Sequence, residues 1–355
     1  MLRYFKYRTP FKTPFRIAFG EFSHREGIIL TYEEHGITAF GEASPLPGFS
    51  NENLEQVESV LIQNKKFLTQ AFIENDESQL IRVLDQIHNF PSLSFGLDSL
   101  SLDLQAKRDK KSLSSFLFNK EAKAIDCNTT IGIQSKEKAI ENIRTKILEG
   151  FDTIKIKVGR DFKTEREILR VIRNEFPEMK IRIDANQAWD VNDAIQNLNS
   201  ISKLDIEYCE QPVLAKDIIG LKKVTIHTDI KIAADESLGN KIRAKQVIEQ
   251  NCCDLVIIKP ALIGLFDSIN VTKELAETHD MEVVFTTLLD GVIGRNITAI
   301  YASGLGSNKY AHGLATGSLL GEQTITENID QGAYHFSNSD GIGMSIDQTL
   351  LEEII

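Results

Sequence analysis

The chain has 355 residues, 42% hydrophobic and 26% charged, enough to bury one large domain and a smaller one. A formal net charge of −11 with no basic block argues against nucleic acid as a partner. No window approaches the roughly 20 apolar residues that span a bilayer, which argues against a membrane protein.

The opening stretch MLRYFKYRTPFKTPF lacks the apolar core of a secretory leader. Cys127, Cys209, Cys252 and Cys253 form no C-x-x-C, so reduced thiols and a cytoplasmic location are expected. Strand-like alternation runs through Leu2–Tyr7, Phe15–Phe19, Gly27–Tyr32 and Ile37–Phe40. After the loop GEASPLPGFSNEN (Gly41–Asn53), helical spacing takes over at Leu54, Val57, Val60 and Leu61, and again over Phe95–Lys107. Strands followed by helices, rather than alternating with them, predict an α+β domain over residues 1–122.

From about Ala124 strands and helices alternate. Strands are expected at Asp126–Ile131, Thr153–Val158, Lys180–Asp184, Ile206–Glu210, Lys231–Asp235, Asp254–Ile258, Glu282–Thr287 and Ala311–Leu314. Eight strands with about seven intervening helices fit a (β/α)7β, TIM-like barrel over residues 123–325, with a doubly wound open sheet as the competing architecture. The last segment, 326–355, returns to strand-like alternation in GAYHF and DGIGMSID and is expected to rejoin the first domain, completing a cap over the barrel.

Lys157, Asp184, Glu210, Asp235 and Lys259 end five successive apolar runs, at intervals of 27, 26, 25 and 24 residues. A strand, its return helix and two loops take about that many residues, so the five charges are expected at one end of the sheet. Alternation places Lys155 and Lys157 on the same face of their strand, with Ile154 and Ile156 on the other. Any one of these acids could merely cap a helix, but three in register suit a hard cation such as Mg²⁺. Such an ion can hold a substrate carboxylate and stabilise the charge left when its α-carbon loses a proton. A lysine beside another cation in a dry site gives up its own proton more readily and can act as the base. The set therefore predicts proton abstraction next to a carboxylate, with a lysine on either side of the metal. The position of Trp189 fits a lid contact and core packing equally.

At these residues the chain resembles the enolase superfamily, in its muconate-lactonizing-enzyme-like subgroup, over nearly its whole length. Lys155-Ile156-Lys157 resembles the subgroup's K-x-K, and Asp184-Ala185-Asn186, Glu210-Gln211-Pro212 and Asp235-Glu236-Ser237 resemble its metal motifs. Lys259-Pro260 matches its sixth-strand lysine. Within the subgroup the loop Gly41–Asn53, IKPALIG (Ile258–Gly264) and FTTLLDGVIG look most like the o-succinylbenzoate synthases. The resemblance implies that Asp184, Glu210 and Asp235 bind Mg²⁺, with Mn²⁺ as a substitute, and that the substrate is a small carboxylate. It implies that Lys157 is the base and Lys259 a cationic stabiliser. Lys155, Asn186, Pro47, Phe49, Ser50, Thr286, Thr287 and Leu288 would contact the substrate.

The reaction implied is a lyase step of menaquinone biosynthesis, syn dehydration of 2-succinyl-6-hydroxy-2,4-cyclohexadiene-1-carboxylate to o-succinylbenzoate. The alternative is an N-acylamino acid racemase or dipeptide epimerase using the same lysines as two bases. Two positions depart from the pattern: Asp290 stands where a Glu is usual, and Ala315 stands where an Asp is usual. The second weighs against a dipeptide epimerase, which would use that Asp to bind a substrate ammonium. A homo-oligomer is compatible with the sequence.

Overall fold

The computed structural model describes all residues except 18–19, 75–76, 88, 133–134, 322–327, 347–350 and 355. Phe19 and the end of DGIGMSID therefore lie outside the described residues. The N-terminal part is an antiparallel sheet of β1 (Leu2–Ile17), β2 (Gly20–Glu34) and β3 (Ile37–Ala43), packed on α1 (Leu54–Glu74), α2 (Glu77–Gln86) and α3 (Pro91–Arg108). The expected strand Leu2–Tyr7 and the second one, as far as Ile17, merge into the single long β1, whose pairing with β2 shifts register between Pro10 and Phe15. Its core is made by alternate residues of the strands, such as Tyr4, Ile28, Leu30 and Ala39, against Val57, Leu61, Leu97 and Leu100. Helix α3 comes so close to β3 that a Cβ at Gly41 would lie 2.0 Å from the Gly96 carbonyl oxygen. No larger residue fits at Gly41 without moving backbone.

A curled parallel sheet of seven strands follows: β5 (Thr129–Ile131), β6 (Thr153–Lys157), β7 (Lys180–Asp184), β8 (Ile206–Glu210), β9 (Ile232–Ala234), β10 (Leu255–Ile258) and β11 (Glu282–Phe285), in sequence order. Residues 311–314 fill the eighth place through single bridges, His312 to Cys127 and Gly313 to Thr286, so the circle closes by contact rather than by a full ladder. The expected first strand is split. Asp126 belongs to β4 (Ile125–Asp126), which pairs with β13 (Ala333–Tyr334), itself paired to β12 (Ile329–Asp330). The amides of Cys127 and Asn128 go to the Gly332 and His312 carbonyls, and this interrupts the run. The GAYHF segment thus pairs beside the barrel, while β14 (Glu352–Ile354) adds to the edge of β1 in the cap.

Strand alternation sorts the barrel into two cores. Ile154, Ile156, Ile181, Ile183, Val256 and Ile258 face the surrounding helices. Tyr208, Ala233, Leu255, Ile257 and Val284 fill the interior. Arg182 lies fully buried at the inner layer, its Nε donating to Glu207 at 2.7 Å and its Nη1 to the Ala311 carbonyl at 2.7 Å, with the Tyr208 ring 4.7 Å away. Trp189 is buried and meets Phe162 edge-on at 5.0 Å, which is core packing. The four cysteines are buried thiols. Among the described residues no helix is long and apolar enough to cross a membrane.

Candidate active site

The strands deliver their last inward-facing residues to one rim. Lys157 pairs in register with Asp184, and Asp184 with Glu210. Glu210 then pairs with Ala233, so Asp235 arrives two residues further along its strand. Lys259 follows β10 and immediately precedes Pro260, whose missing N–H is no loss at the start of the short helix Pro260–Ile263.

All five charges line one cavity of about 120 Å³. The Lys155 ammonium donates to both Glu210 oxygens at 3.0 Å and lies 3.5 Å from Asp184 Oδ2. Lys157 Nζ lies 3.4 Å from Asp184 Oδ2 and also donates to Asn186 Oδ1. Lys259 donates to Asp235 Oδ1. Asn186 passes the contact on, its amide donating to Glu236 Oε1 at 3.2 Å.

The carboxylates are buried, and burial sets their acidity. It pushes the Glu210 carboxyl up to about 7, with Lys155 opposing and Asp184 and Asp235 adding to the rise. Burial raises Asp235 as well, against the pull of Lys259. For Asp184 burial is outweighed by Lys157 and Lys155, which hold it below the usual range. Burial disfavours the charge on Lys155, yet Glu210, Asp184 and Asp235 outweigh it and keep the ammonium firmly protonated. The same balance, with Asp235, Glu210 and Glu236 as partners, raises Lys259.

Among the described residues no three acidic, histidine or cysteine side chains close onto a common point, and Lys155 stands against both Glu210 and Asp184. The donor set nonetheless suits a hard divalent cation. Three buried carboxylates offer oxygen ligands from neighbouring strand ends, and burial, with Asp184 and Asp235 adding, raises the Glu210 carboxyl against the pull of Lys155. Beside them Glu236 Oε2 is buried with no hydrogen-bond partner. Glu236 was not foreseen as a site residue; its place directly after Asp235 in ADESL was the available signal.

Of the expected substrate contacts, Lys155, Asn186, Phe49, Thr286, Thr287 and Leu288 line the cavity. Pro47 is exposed, and Ser50 turns inward on its own loop, its hydroxyl accepting the Leu46 N–H at 2.9 Å. Leu46 lines the cavity instead, with Thr130, Leu289, Thr316 and Leu319. Thr130 was legible in principle, since it pairs with Lys155 across two inward-facing positions. A neighbouring cavity of about 430 Å³ shares Thr130, Lys155, Thr286, Thr316 and Leu319 and extends past Gly313 and Ala315 to Lys12.

Residues 138–350 match the enolase C-terminal domain-like family, and residues 1–104 match the MenC N-terminal domain. The L-Ala-D/L-Glu epimerase of Clostridium acetobutylicum is 31% identical over 80% of both chains. A dipeptide epimerase from Enterococcus faecalis V583, solved with Mg and the dipeptide L-Leu-L-Tyr, superposes with a TM-score of 0.85 at 25% identity, over 97% of this chain and 99% of its own. The muconate lactonizing enzyme of Pseudomonas fluorescens shares the fold, with a TM-score of 0.87 at 20% identity over 98% and 96%.

The first two of these relatives, both named as epimerases, overturn the expected o-succinylbenzoate synthase activity and with it the lyase class. The structure shows why the motifs misled. Pro47 and Gly48 are exposed, while Ala261, Leu262 and Ile263 are buried and Gly264 lies against Pro91 and Ser94 of α3. Part of what those motifs encode is therefore the seat of the cap on the barrel, while Leu46, Phe49, Lys259, Thr286, Thr287 and Leu288 within them line the cavity. Fold, strand-end charges and the match over residues 138–350 agree, and the chain belongs to the enolase superfamily.

Proposed function

We propose that this protein is an isomerase that inverts the carbon next to a carboxylate, acting on a dipeptide or an N-acylated amino acid with Mg²⁺ bound. The observation that carries the reading is the placement of Lys157 and Lys259 at two edges of a single cavity, against Asp184 and Asp235 with Glu210 between. Asp184, Glu210 and Asp235 would hold the ion, as their buried, oxygen-only donor set fits. When bound, Mg²⁺ supplies positive charge for the substrate carboxylate and for the negative charge that develops on it.

Lys157 removes the α-proton from one face, and Lys259, held as an ammonium, delivers a proton to the other. One C–H bond breaks and one forms, so the configuration inverts with no net change in composition. In the reverse direction the lysines exchange roles. Lys155, fixed as an ammonium on Glu210, does not transfer protons but balances the buried acids.

The wall facing the acids consists of Thr130, Thr286, Thr287 and Thr316 hydroxyls with Leu46, Phe49, Leu288 and Leu319. Among the described residues it offers no carboxylate to a substrate ammonium; in the neighbouring cavity Ala315 adds none, and the carboxylate present there is that of Glu149. This favours substrates whose amino group is acylated; it bears on substrate choice and leaves the proton transfer unaffected. The test is a panel of L,L-dipeptides and N-acyl-L-amino acids with Mg²⁺, followed by polarimetry. Inversion in either series supports the reading, with faster turnover expected in the acylated one. Protein that binds metal but inverts no member of either series would refute it.

A further inference from the structure

Arg25 sits on β2, 2% exposed, at the seam where the cap meets the barrel. Its guanidinium spends its donors on backbone carbonyls from both sides. On the cap side Nη1 donates to Glu26 at 2.8 Å and Pro45 at 2.9 Å, and Nη2 donates to Ser44. On the barrel side Nε donates to Leu289 at 2.8 Å, and Nη2 reaches Leu288 at 3.5 Å. Leu288 and Leu289 follow the seventh barrel strand and line the active cavity; Leu46 and Phe49, just after the Ser44–Pro45 carbonyls, line it from the cap.

Two carboxylates tie the same joint from below. Asp290 accepts the Leu288 N–H at 2.9 Å and the Ser44 hydroxyl at 3.2 Å. Glu42 accepts the Tyr7 hydroxyl at 2.8 Å and the Gly291 and Gly294 amides at 2.5 and 2.9 Å. Leu289 is held at φ +56°, a left-handed conformation that a leucine adopts only when its surroundings impose it.

We propose that Arg25 is a positioning residue: by bridging Ser44–Pro45 to Leu288–Leu289 it sets the two halves of the cavity's apolar wall in register, and so decides how tightly the substrate's non-reacting part is held. The link to substrate rests on the isomerase reading; the link between the two segments does not. Arginine suits the task because its planar fork reaches several carbonyls at once, which a lysine cannot do.

The test compares Arg25→Met and Arg25→Lys with the unaltered protein, using three readouts. Mn²⁺ binding, measured with the metal alone, reports the strand-end acids and is expected to stay within about threefold. Amide hydrogen exchange over residues 44–50 and 286–291, read by mass spectrometry, is expected to accelerate at least about tenfold in the Met variant and less in the Lys variant. On the substrate found by the panel, KM is expected to rise about tenfold with kcat falling less.

Should Arg25→Met fail to fold, Ser44→Ala, which removes only the bond to Asp290, is expected to show a smaller acceleration of the same two segments. Unchanged exchange in both segments in Arg25→Met, or in Ser44→Ala when Arg25→Met does not fold, overturns the proposal. So does a loss of kcat with no change in KM. If no panel member is turned over by the unaltered protein, the isomerase reading fails, while the exchange data still decide the bridge.

Discussion

Lys157 and Asp184 face each other directly across adjacent parallel strands, with Nζ 3.4 Å from Oδ2. The Lys157–Asp184 contact follows directly from strand register, so its chemistry depends on where these neighbouring strands begin to pair. That makes the roles of the individual groups separable by substitution.

The two lysines are expected to fail differently. Lys157→Ala and Lys259→Ala should each lower inversion by about 10²–10⁴-fold, the usual weight of a positioned acid or base. Each variant should still exchange the α-proton of one enantiomer with solvent, and the enantiomer should differ between them. Proton exchange by NMR with each pure enantiomer checks this.

Metal binding should stabilise the fold. Glu210 is pushed up to about 7 by burial and by the neighbouring acids, so a divalent cation relieves repulsion that the lysines leave. At about 100 times its dissociation constant, Mg²⁺ should add roughly 2.7 kcal/mol, visible as a rise in Tm. Glu210→Gln should abolish most of that rise without unfolding the metal-free protein.

His312 predicts a loss of stability in acid. Burial first, and Arg182 second, lower its pKa from 6.5 to about 3, and its Nδ1 accepts the Phe285 N–H at 3.1 Å. The folded state therefore binds fewer protons than the unfolded state between those values. Its contribution is complete above about pH 6.5 and is lost as pH falls toward 3, amounting to about 5 kcal/mol. Denaturant melts of His312→Asn should show a flatter profile over that window.

Asp290 carries the opposite sign. Burial and the nearby Glu42 raise it to about 6, with Arg25, the Leu288 amide and the Ser44 hydroxyl opposing. Tyr7, hydrogen-bonded to Glu42, completes the set of titratable groups facing it. A carboxyl with a raised folded pKa favours folding below its unfolded value and withdraws that support as pH climbs through 6. Asp290→Asn, which keeps an acceptor for the Leu288 N–H, should gain up to about 3 kcal/mol over the unaltered protein between pH 4 and 7. Paired chemical melts at the two pH values measure it.

The barrel was legible because its strands alternate cleanly, as in Ile154 and Ile156 outward against Lys155 and Lys157 inward. The interval of 26 or 27 residues does place Lys157, Asp184 and Glu210 level. It does not do so for Asp235, because β9 pairs with β8 two residues lower. The break at Cys127–Asn128 was invisible, since it depends on carbonyls some two hundred residues away. Glu236 and Leu46 escaped notice for a similar reason: which neighbour in a loop turns inward is decided by tertiary packing, not by local pattern. The substrate was misread in part because several residues of those motifs, such as Ala261 and Ile263, are buried and do not line the cavity.

The most direct test of the central claim is inversion of one pure enantiomer in D₂O with Mg²⁺, stopped early and analysed by mass for each enantiomer. Two-face proton transfer predicts that the newly formed enantiomer carries one solvent deuterium at the α-carbon while the recovered starting enantiomer is still protiated. Product that retains its original α-proton, or no deuterium in either enantiomer, would contradict it.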